Sequence, residues 1–193
     1  MSLTPRILAF GGSLRRESLN QKLVALAAAG ARQAGAEVTL IELRSLELPL
    51  FDEDLERASG LPAGAKRFKE LLKQHHGFLI SSPEYNSSIT AALKNAIDWA
   101  SRAEPDEPAL AAFAGKVCGL MSASPGALGG LRGLVTVRSI LANIQVLVLP
   151  EQVAVSRANV AFAPDGRLTD AKHQAAIERL GARVAEVAVK LAS

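Results

Sequence analysis

The sequence predicts an α/β protein built on one doubly wound, five-stranded parallel sheet with helices on both faces. The main observation is that short, continuous apolar runs alternate with segments of helical periodicity about five times. Continuous apolar runs are typical of parallel strands that are buried on both faces. The length of 193 residues fits one domain, and no linker, repeat or low-complexity tract divides it. We therefore expect residues 1–193 to form a single domain.

Five apolar runs are predicted as strands because glycine or proline bounds them and helical periodicity fills the gaps. They cover residues 7–10, 38–41, 78–80, 117–121 and 146–149. Pro150 is expected to end the fifth strand, because proline cannot donate to a ladder. Two regions, 43–62 and 150–167, lack either pattern and are expected to be irregular.

Helices are predicted where leucine and other apolar residues recur three and four positions apart. The stripes run over residues 19–26, 68–75, 93–100, 131–141 and 177–191. Gly77 is expected to be the C-cap after the second stripe. Thr169 or Asp170 is expected to cap the last helix.

The composition excludes several classes of protein. The single cysteine, Cys118, permits no intramolecular disulfide and no cysteine-rich zinc site, and it favours a reducing compartment. A net charge of +3 with 4% aromatic residues is unlike a dedicated nucleic-acid binder, so we expect no nucleic-acid partner. No apolar run is long enough for a membrane span, and the first residues do not resemble a signal peptide. The expected location is therefore the cytoplasm, with no membrane partner.

A ligand is expected beyond the carboxyl ends of the strands, where open α/β sheets bind their substrates. The loop after the first strand, residues 11–20, matches neither the dinucleotide fingerprint nor the P-loop. It offers Ser13, Arg15, Ser18 and Asn20 at the start of a helix, a combination that suits a phosphate monoester. The alternative is that Ser18 merely caps the helix, which would leave the other three side chains unexplained.

The loops after the third and fourth strands extend this expected site. Pro83, Glu84, Tyr85 and Asn86 form a rigid turn with one aromatic ring, which suits a flat heteroaromatic ligand. The alternative is an ordinary proline turn. The small residues of loop 122–132 permit close approach of a ligand to the backbone, although a plain strand-to-helix turn has the same composition. Trp99, on the following helix, is expected to pack in the core.

These loops together resemble the NADPH-dependent FMN reductase family, which has a flavodoxin-like fold. Four segments carry the resemblance, and it extends from about residue 7 to residue 150. The segments are Gly-Ser-Leu-Arg-Arg-Glu-Ser-Leu-Asn at 12–20, Leu-Pro-Leu-Phe-Asp-Glu-Asp at 48–54, Ser-Pro-Glu-Tyr-Asn at 82–86 running into Ala-Leu-Lys-Asn-Ala-Ile-Asp-Trp at 92–99, and Gly-Ala-Leu-Gly-Gly-Leu-Arg at 126–132.

The resemblance implies strand order 2-1-3-4-5, a bound FMN and NADPH or NADH as cosubstrate. It also implies electron transfer in a ping-pong order to quinones, azo dyes, nitro compounds, chromate or free flavin, in a homodimer or homotetramer. It assigns the phosphate to Ser13, Arg15, Ser18, Leu19 and Asn20. The isoalloxazine would lie against Pro83, Glu84, Tyr85 and Asn86, with Ser122, Ser124 and Gly126 on the other side.

No side chain of the protein is expected to act as acid, base or nucleophile, because flavin N5 would carry the hydride. The acidic residues at 52–56 and the three histidines, His75, His76 and His173, are expected to be structural or solvated, with no metal bound. Arg102 is one basic candidate for the 2′-phosphate of NADPH. A flavodoxin-type electron carrier that does not turn over NAD(P)H is the alternative function, and a flavin-free phosphate-binding domain is a third.

Overall fold

The computed structural model describes residues 3–192, and its core is a five-stranded parallel sheet of order β2-β1-β3-β4-β5. All five predicted strands are present, and each extends beyond its predicted bounds at one end or both. The fold class and the strand order are therefore confirmed. The strands are β1 (Arg6–Gly11), β2 (Glu37–Glu42), β3 (Gly77–Ser81), β4 (Val117–Ala123) and β5 (Leu147–Val155).

Within residues 3–192, five α-helices and one 3-10 turn lie between these strands, and a sixth α-helix follows β5. The 3-10 turn spans Leu43–Leu46. The helices are α1 (Leu19–Gln33), α2 (Glu53–Ser59), α3 (Ala63–Gln74), α4 (Ala91–Ala100), α5 (Leu131–Asn143) and α6 (Ala171–Leu191). No helix among residues 3–192 is both long and apolar enough to cross a bilayer.

The sheet separates two hydrophobic cores, because side chains of a strand alternate between its faces. Ile7 and Ala9 of β1 point to the face that α1 and α6 cover. Leu8 and Phe10 point to the opposite face, which α3, α4 and α5 cover. Helices therefore lie on both faces of the sheet, as a doubly wound fold requires.

Helices α1 and α6 approach each other closely at two glycines. A Cβ on Gly181 would lie 1.9 Å from the carbonyl oxygen of Ala27, and one on Gly30 would lie 2.1 Å from that of Glu178. Real Cβ atoms do not approach carbonyl oxygens so closely, so each helix needs a glycine where the other crosses it. This contact fixes α1, and with it the first turn of α1 at the edge of the sheet.

The prediction that Pro150 ends the fifth strand is wrong. Cys118 pairs with Val148 but Leu120 pairs with Gln152, so β5 bulges around Pro150 and then resumes. Because β5 is an edge strand, the missing N–H of the proline breaks no ladder. Arg138 of α5 supplies a partner for a carbonyl group in the bulge, since its guanidinium donates to the carbonyl of Leu149 at 2.7 Å.

Two further expectations are corrected. Gly77 is not a helix cap: α3 ends at Gln74, its C-cap is His75 in extended conformation, and Gly77 begins β3. A Cβ there would lie 2.7 Å from Cγ1 of Val117, which explains the glycine. The region 43–62 is not wholly irregular, because it contains the 3-10 turn and α2, whose N-cap is Asp52. Asp170 is the residue that caps α6.

Candidate active site

A solvent-open cleft of about 410 Å³ lies at the carboxyl ends of β1, β3 and β4. The loops that follow these three strands form its walls, as the fold class predicts. Nine of its lining residues come from the sequence-predicted set and two, Ala123 and Pro125, do not. The nine are Ser13, Arg15, Ser18, Leu19, Asn20, Pro83, Glu84, Tyr85 and Ser124.

The side chain of Asn20 joins the first turn of α1 to two strands. Its Nδ2 donates to the carbonyl of Ala123 at 2.8 Å, and its Oδ1 accepts from the N–H of Ala123 at 2.9 Å. The same Oδ1 accepts from the Ser81 hydroxyl at 2.8 Å. Asn20 is buried, so its amide is used inside the protein and only its backbone N–H is left for a ligand.

Gln21 makes the corresponding connection from α1 to the other two neighbouring strands, β1 and β2. Its Oε1 accepts from the N–H of Gly11 at 2.9 Å, and its Nε2 donates to the carbonyl of Ile41 at 2.9 Å. Sequence reasoning did not single out Gln21. Its partners lie 10 and 20 residues away on different strands, so no local pattern reveals the contact.

The phosphate-binding loop predicted at residues 11–20 contains several hydrogen-bond donors that have no acceptor among the described residues. Ser18 caps α1 by accepting from the N–H of Gln21 at 3.2 Å, so the capping interpretation is correct for that hydroxyl. The backbone N–H groups of Leu19 and Asn20 have no acceptor within residues 3–192. The Arg15 guanidinium likewise pairs with no described side chain, although Arg15 lines the cleft. These free donors at a helix N-terminus favour an anion.

Glu84 fastens the loop after β3 to the N-terminus of α5. One carboxylate oxygen accepts from the N–H groups of Arg132 at 3.0 Å and Gly133 at 3.2 Å, and the other accepts from the Arg132 guanidinium. Burial acts to raise the pKa of Glu84, but the Arg132 side chain and these two N–H groups more than offset it. The pKa of Glu84 therefore lies below its ordinary value.

Residues 85–88 form a tight turn at the rim of the cleft. Tyr85 and Ser88 exchange backbone hydrogen bonds of 2.9 and 3.0 Å. Asn86 and Ser87 between them have φ angles of 51° and 65°, the left-handed values that a type I′ turn needs. Asn86 does not line the cleft, and it suits the turn because asparagine tolerates this conformation. Tyr85 lies on the wall and is 55% exposed.

The end of β4 and the loop after it contribute less of the cleft than the resemblance implies. Ser122 points away from it, toward Gly130 at the start of α5, and its buried hydroxyl has no partner among the described residues. Gly126 does not line the cleft either: its N–H donates to the Ser124 hydroxyl at 3.2 Å, which shapes the loop. Ser124 is on the wall, between Ala123 and Pro125.

Thr90 is another residue that sequence reasoning missed. Its hydroxyl donates to the carbonyl of Gly12 and accepts from the N–H of Leu93 at 3.1 Å. It therefore caps α4 and ties that helix to the loop after β1. A threonine directly before an apolar helical stripe is the signal that could have identified the cap.

The cysteine, the tryptophan and two of the histidines singled out in the sequence lie away from the cleft. Cys118 is buried in β4, and burial raises the pKa of its thiol. Trp99 is buried, and its indole N–H donates to the carbonyl of Pro49 at 2.8 Å. His75 is bonded to Thr39 at 2.8 Å, and burial lowers its pKa. His76 accepts from the N–H of Arg6 at 2.9 Å.

Three of the acidic residues at 52–56 make capping or ion-pair contacts. Asp52 caps α2, Asp54 pairs with Arg57 at 2.7 Å, and Glu56 pairs with Arg102 at 2.8 Å. Within residues 3–192, no group of three or more histidine, cysteine or acidic side chains is placed to hold a metal ion.

The cleft at the carboxyl edge of a 2-1-3-4-5 sheet defines a flavodoxin-like protein, and solved structures agree. The chain superposes with a TM-score of 0.80 on FerB, a flavoenzyme NAD(P)H:(acceptor) oxidoreductase of Paracoccus denitrificans. The two are 26% identical, and the match covers 97% of this chain and 98% of that one. An archaeal flavodoxin, 10% identical with a TM-score of 0.61, shares the fold.

Sequence comparison shows the family. Residues 5–160 match the profile of the NADPH-dependent FMN reductases, and the chain belongs to this family of oxidoreductases. It is 36% identical to an NAD(P)H-dependent FMN reductase of Pseudomonas aeruginosa, over 93% of this chain and 92% of that protein. It is also 36% identical to a quinone reductase of Escherichia coli, over 77% and 76% of the two chains. The family resemblance in the sequence is thereby confirmed.

Replacing Asn20 should destabilise the whole fold. In Asn20→Ala, the buried N–H and C=O of Ala123 and the Ser81 hydroxyl lose their partner, so we expect the free energy of unfolding to fall by about 2–4 kcal/mol. Urea denaturation followed by circular dichroism measures it. The control Lys22→Ala, at an exposed position of the same helix, should change the value by less than about 0.5 kcal/mol. A loss below about 1 kcal/mol for Asn20→Ala would contradict the assignment.

The contribution of Glu84 should depend on pH. Because its folded-state pKa is lowered, its stabilisation is complete above the unfolded-state pKa of about 4.3 and is lost as pH falls through the folded-state value. At pH 7, Glu84→Gln should cost about 1–2 kcal/mol of unfolding free energy, with allowance for the exposed Arg132 side chain. Urea unfolding at pH 7, 5, 4 and 3.5 should show the two proteins converging below about pH 4.

The control for this series is Glu17→Gln, which removes an exposed carboxylate 3.3 Å from Lys22. A surface pair of this kind contributes little, so the variant should follow the wild type at every pH. A difference between wild type and Glu84→Gln that persists unchanged to pH 3.5 would show that the carboxylate is not what holds the loop to α5.

Proposed function

We propose that the protein is an FMN-dependent NAD(P)H oxidoreductase that passes electrons in a ping-pong order to quinones or similar small acceptors. The observation that carries the proposal is the set of unpaired donors at the N-terminus of α1, in a cleft walled by the loops after β1, β3 and β4. The family and its FMN reductase and quinone reductase relatives support the same conclusion.

The residues of the cleft fit the parts of FMN. The N–H groups of Leu19 and Asn20, the Ser13 hydroxyl and the Arg15 guanidinium supply donors and positive charge for the phosphate. The loop from Pro83 to Tyr85 supplies a rigid wall for the isoalloxazine, because Glu84 holds it against α5. When bound, the flavin supplies hydride acceptance at N5 and onward electron transfer.

The role of the protein in this reaction is to bind and orient the flavin and to give the nicotinamide and the acceptor access to it. The cleft is open to solvent, so a nicotinamide and then an acceptor can occupy the same exposed place in turn. Glu84 is the one carboxyl group among the described residues that line the cleft, and its pKa is lowered, whereas a general acid at neutral pH needs a raised one. The quinone reductase relatives support quinones and similar flat compounds as the class of acceptor.

The reaction order is tested by steady-state kinetics of the purified flavoprotein with NADPH or NADH and a benzoquinone. Parallel double-reciprocal lines are expected, and anaerobic NAD(P)H alone should bleach the flavin. Intersecting lines would contradict the ping-pong order. A flavin that neither nicotinamide reduces would instead support an electron carrier of the flavodoxin type, and a colourless protein would support a flavin-free domain.

Arg15→Ala should weaken FMN binding about ten- to a hundredfold, because a charge-assisted hydrogen bond contributes about 1.5–3 kcal/mol. Fluorescence titration of the apoprotein with FMN measures the dissociation constant. Arg16→Ala is the matched control, since Arg16 is exposed next to Arg15 but does not line the cleft. Equal affinity of Arg15→Ala and wild type would remove Arg15 from the phosphate site.

A further inference from the structure

A groove continues from the cleft along the surface toward the segment after β2. Its middle section, of about 690 Å³, shares Ser13, Arg15 and Tyr85 with the cleft. Its outer section, of about 580 Å³, shares Leu14 and Ala92 with the middle section. The three volumes are therefore neighbours, and a ligand that reaches beyond the cleft could extend past Leu14 and Ala92 into the outer section.

The outer section combines an apolar wall with one cation. Leu43, Leu48 and Ala92 line it together with Arg44. The Arg44 side chain is exposed, and it makes no ion pair or hydrogen bond with any described residue. In the cleft and these two sections of the groove, only Arg15 and Arg44 supply positive side chains within residues 3–192.

The 3-10 turn fixes where Arg44 lies. The N–H of Glu47 donates to the carbonyl of Arg44 at 3.4 Å, and Glu47 has a left-handed φ of 49°. The turn thus places the guanidinium and the Glu47 carboxylate in the same section of the groove. Asn95 holds the opposite wall, because its side chain is bonded to Phe51 and Pro49 at 2.8 Å each.

Arg102, the basic residue that the sequence offered for a 2′-phosphate, does not fit that role. Its guanidinium donates to Glu56 at 2.8 Å and lies 5.2 Å from the centre of the Phe51 ring. It lines neither the cleft nor the two further sections of the groove. A phosphate that approached it would have to break the pair with Glu56.

We propose that the outer section binds the adenosine end of the nicotinamide nucleotide and that Arg44 recognises the 2′-phosphate of NADPH. The inference rests on the proposed function, because it starts from a nicotinamide placed in the cleft. An arginine next to a ribose binds a 2′-phosphate, whereas a carboxylate favours the unphosphorylated ribose. Glu47 therefore opposes Arg44 and moderates the preference for NADPH.

Steady-state kinetics with NADPH and NADH and a benzoquinone acceptor tests Arg44. Arg44→Ala should lower kcat/KM for NADPH about ten- to a hundredfold and leave that for NADH within about twofold. Glu47→Gln should raise the ratio of kcat/KM for NADPH to that for NADH by about two- to fivefold. The test therefore does not depend on one variant. Arg16→Ala should change neither.

Calorimetric titration gives a readout that is independent of turnover. Adenosine 2′,5′-bisphosphate should bind the wild-type holoprotein more tightly than adenosine 5′-monophosphate does, and Arg44→Ala should abolish the difference. An unchanged NADPH/NADH ratio in Arg44→Ala, or an equal loss for both nucleotides, would overturn this inference while the proposed function stands. A wild-type flavoprotein that oxidises neither nucleotide would overturn the proposed function, and with it this inference.

Discussion

The structure depends on the first turn of α1, where two adjacent amides bond to the carboxyl ends of four strands. Gln21 reaches Gly11 of β1 and Ile41 of β2, while Asn20 reaches Ser81 of β3 and Ala123 of β4. These bonds fall where the order of the strands reverses around β1, the point at which a doubly wound sheet opens a crevice. The geometry of the cleft is thus part of the hydrogen bonding that holds the sheet to its first helix.

One consequence is a division between side chains that build the cleft and groups that face it. The polar side chains of Asn20 and Glu84 are bonded inside the protein, that of Asn20 to the ends of β3 and β4 and that of Glu84 to the first turn of α5. What remains toward the cleft is mostly backbone N–H, hydroxyls, one guanidinium and the Tyr85 ring. Such a surface can hold a cofactor that brings its own chemistry, and the described residues that line it include no combined acid, base and nucleophile.

The sequence predicts what depends on local pattern and misses what depends on distant partners. Continuous apolar runs and helical stripes locate all five strands and five of the six α-helices found in residues 3–192. The exposed α2 carries no apolar stripe, and Pro150 misleads because its effect on a strand depends on whether that strand is at an edge. Asn20 and Glu84 bond to partners up to 103 residues away. Their residue types and positions were therefore enough to predict that they lie at the cleft, but not which groups they bond to.

Helix capping explains why the N-termini of α1 and α4, and not that of α5, are suited to bind anions. Three helices begin there, and in α5 the available N–H groups are taken, since those of Arg132 and Gly133 bond to Glu84. In α1 and α4 a hydroxyl cap satisfies the third N–H and leaves the first two without an acceptor among residues 3–192. The open N-terminus of α1 faces the cleft and that of α4 faces the middle section of the groove. The positive dipole ends of α1 and α4 therefore carry free N–H donors on this edge of the sheet, whereas that of α5 is already neutralised by Glu84.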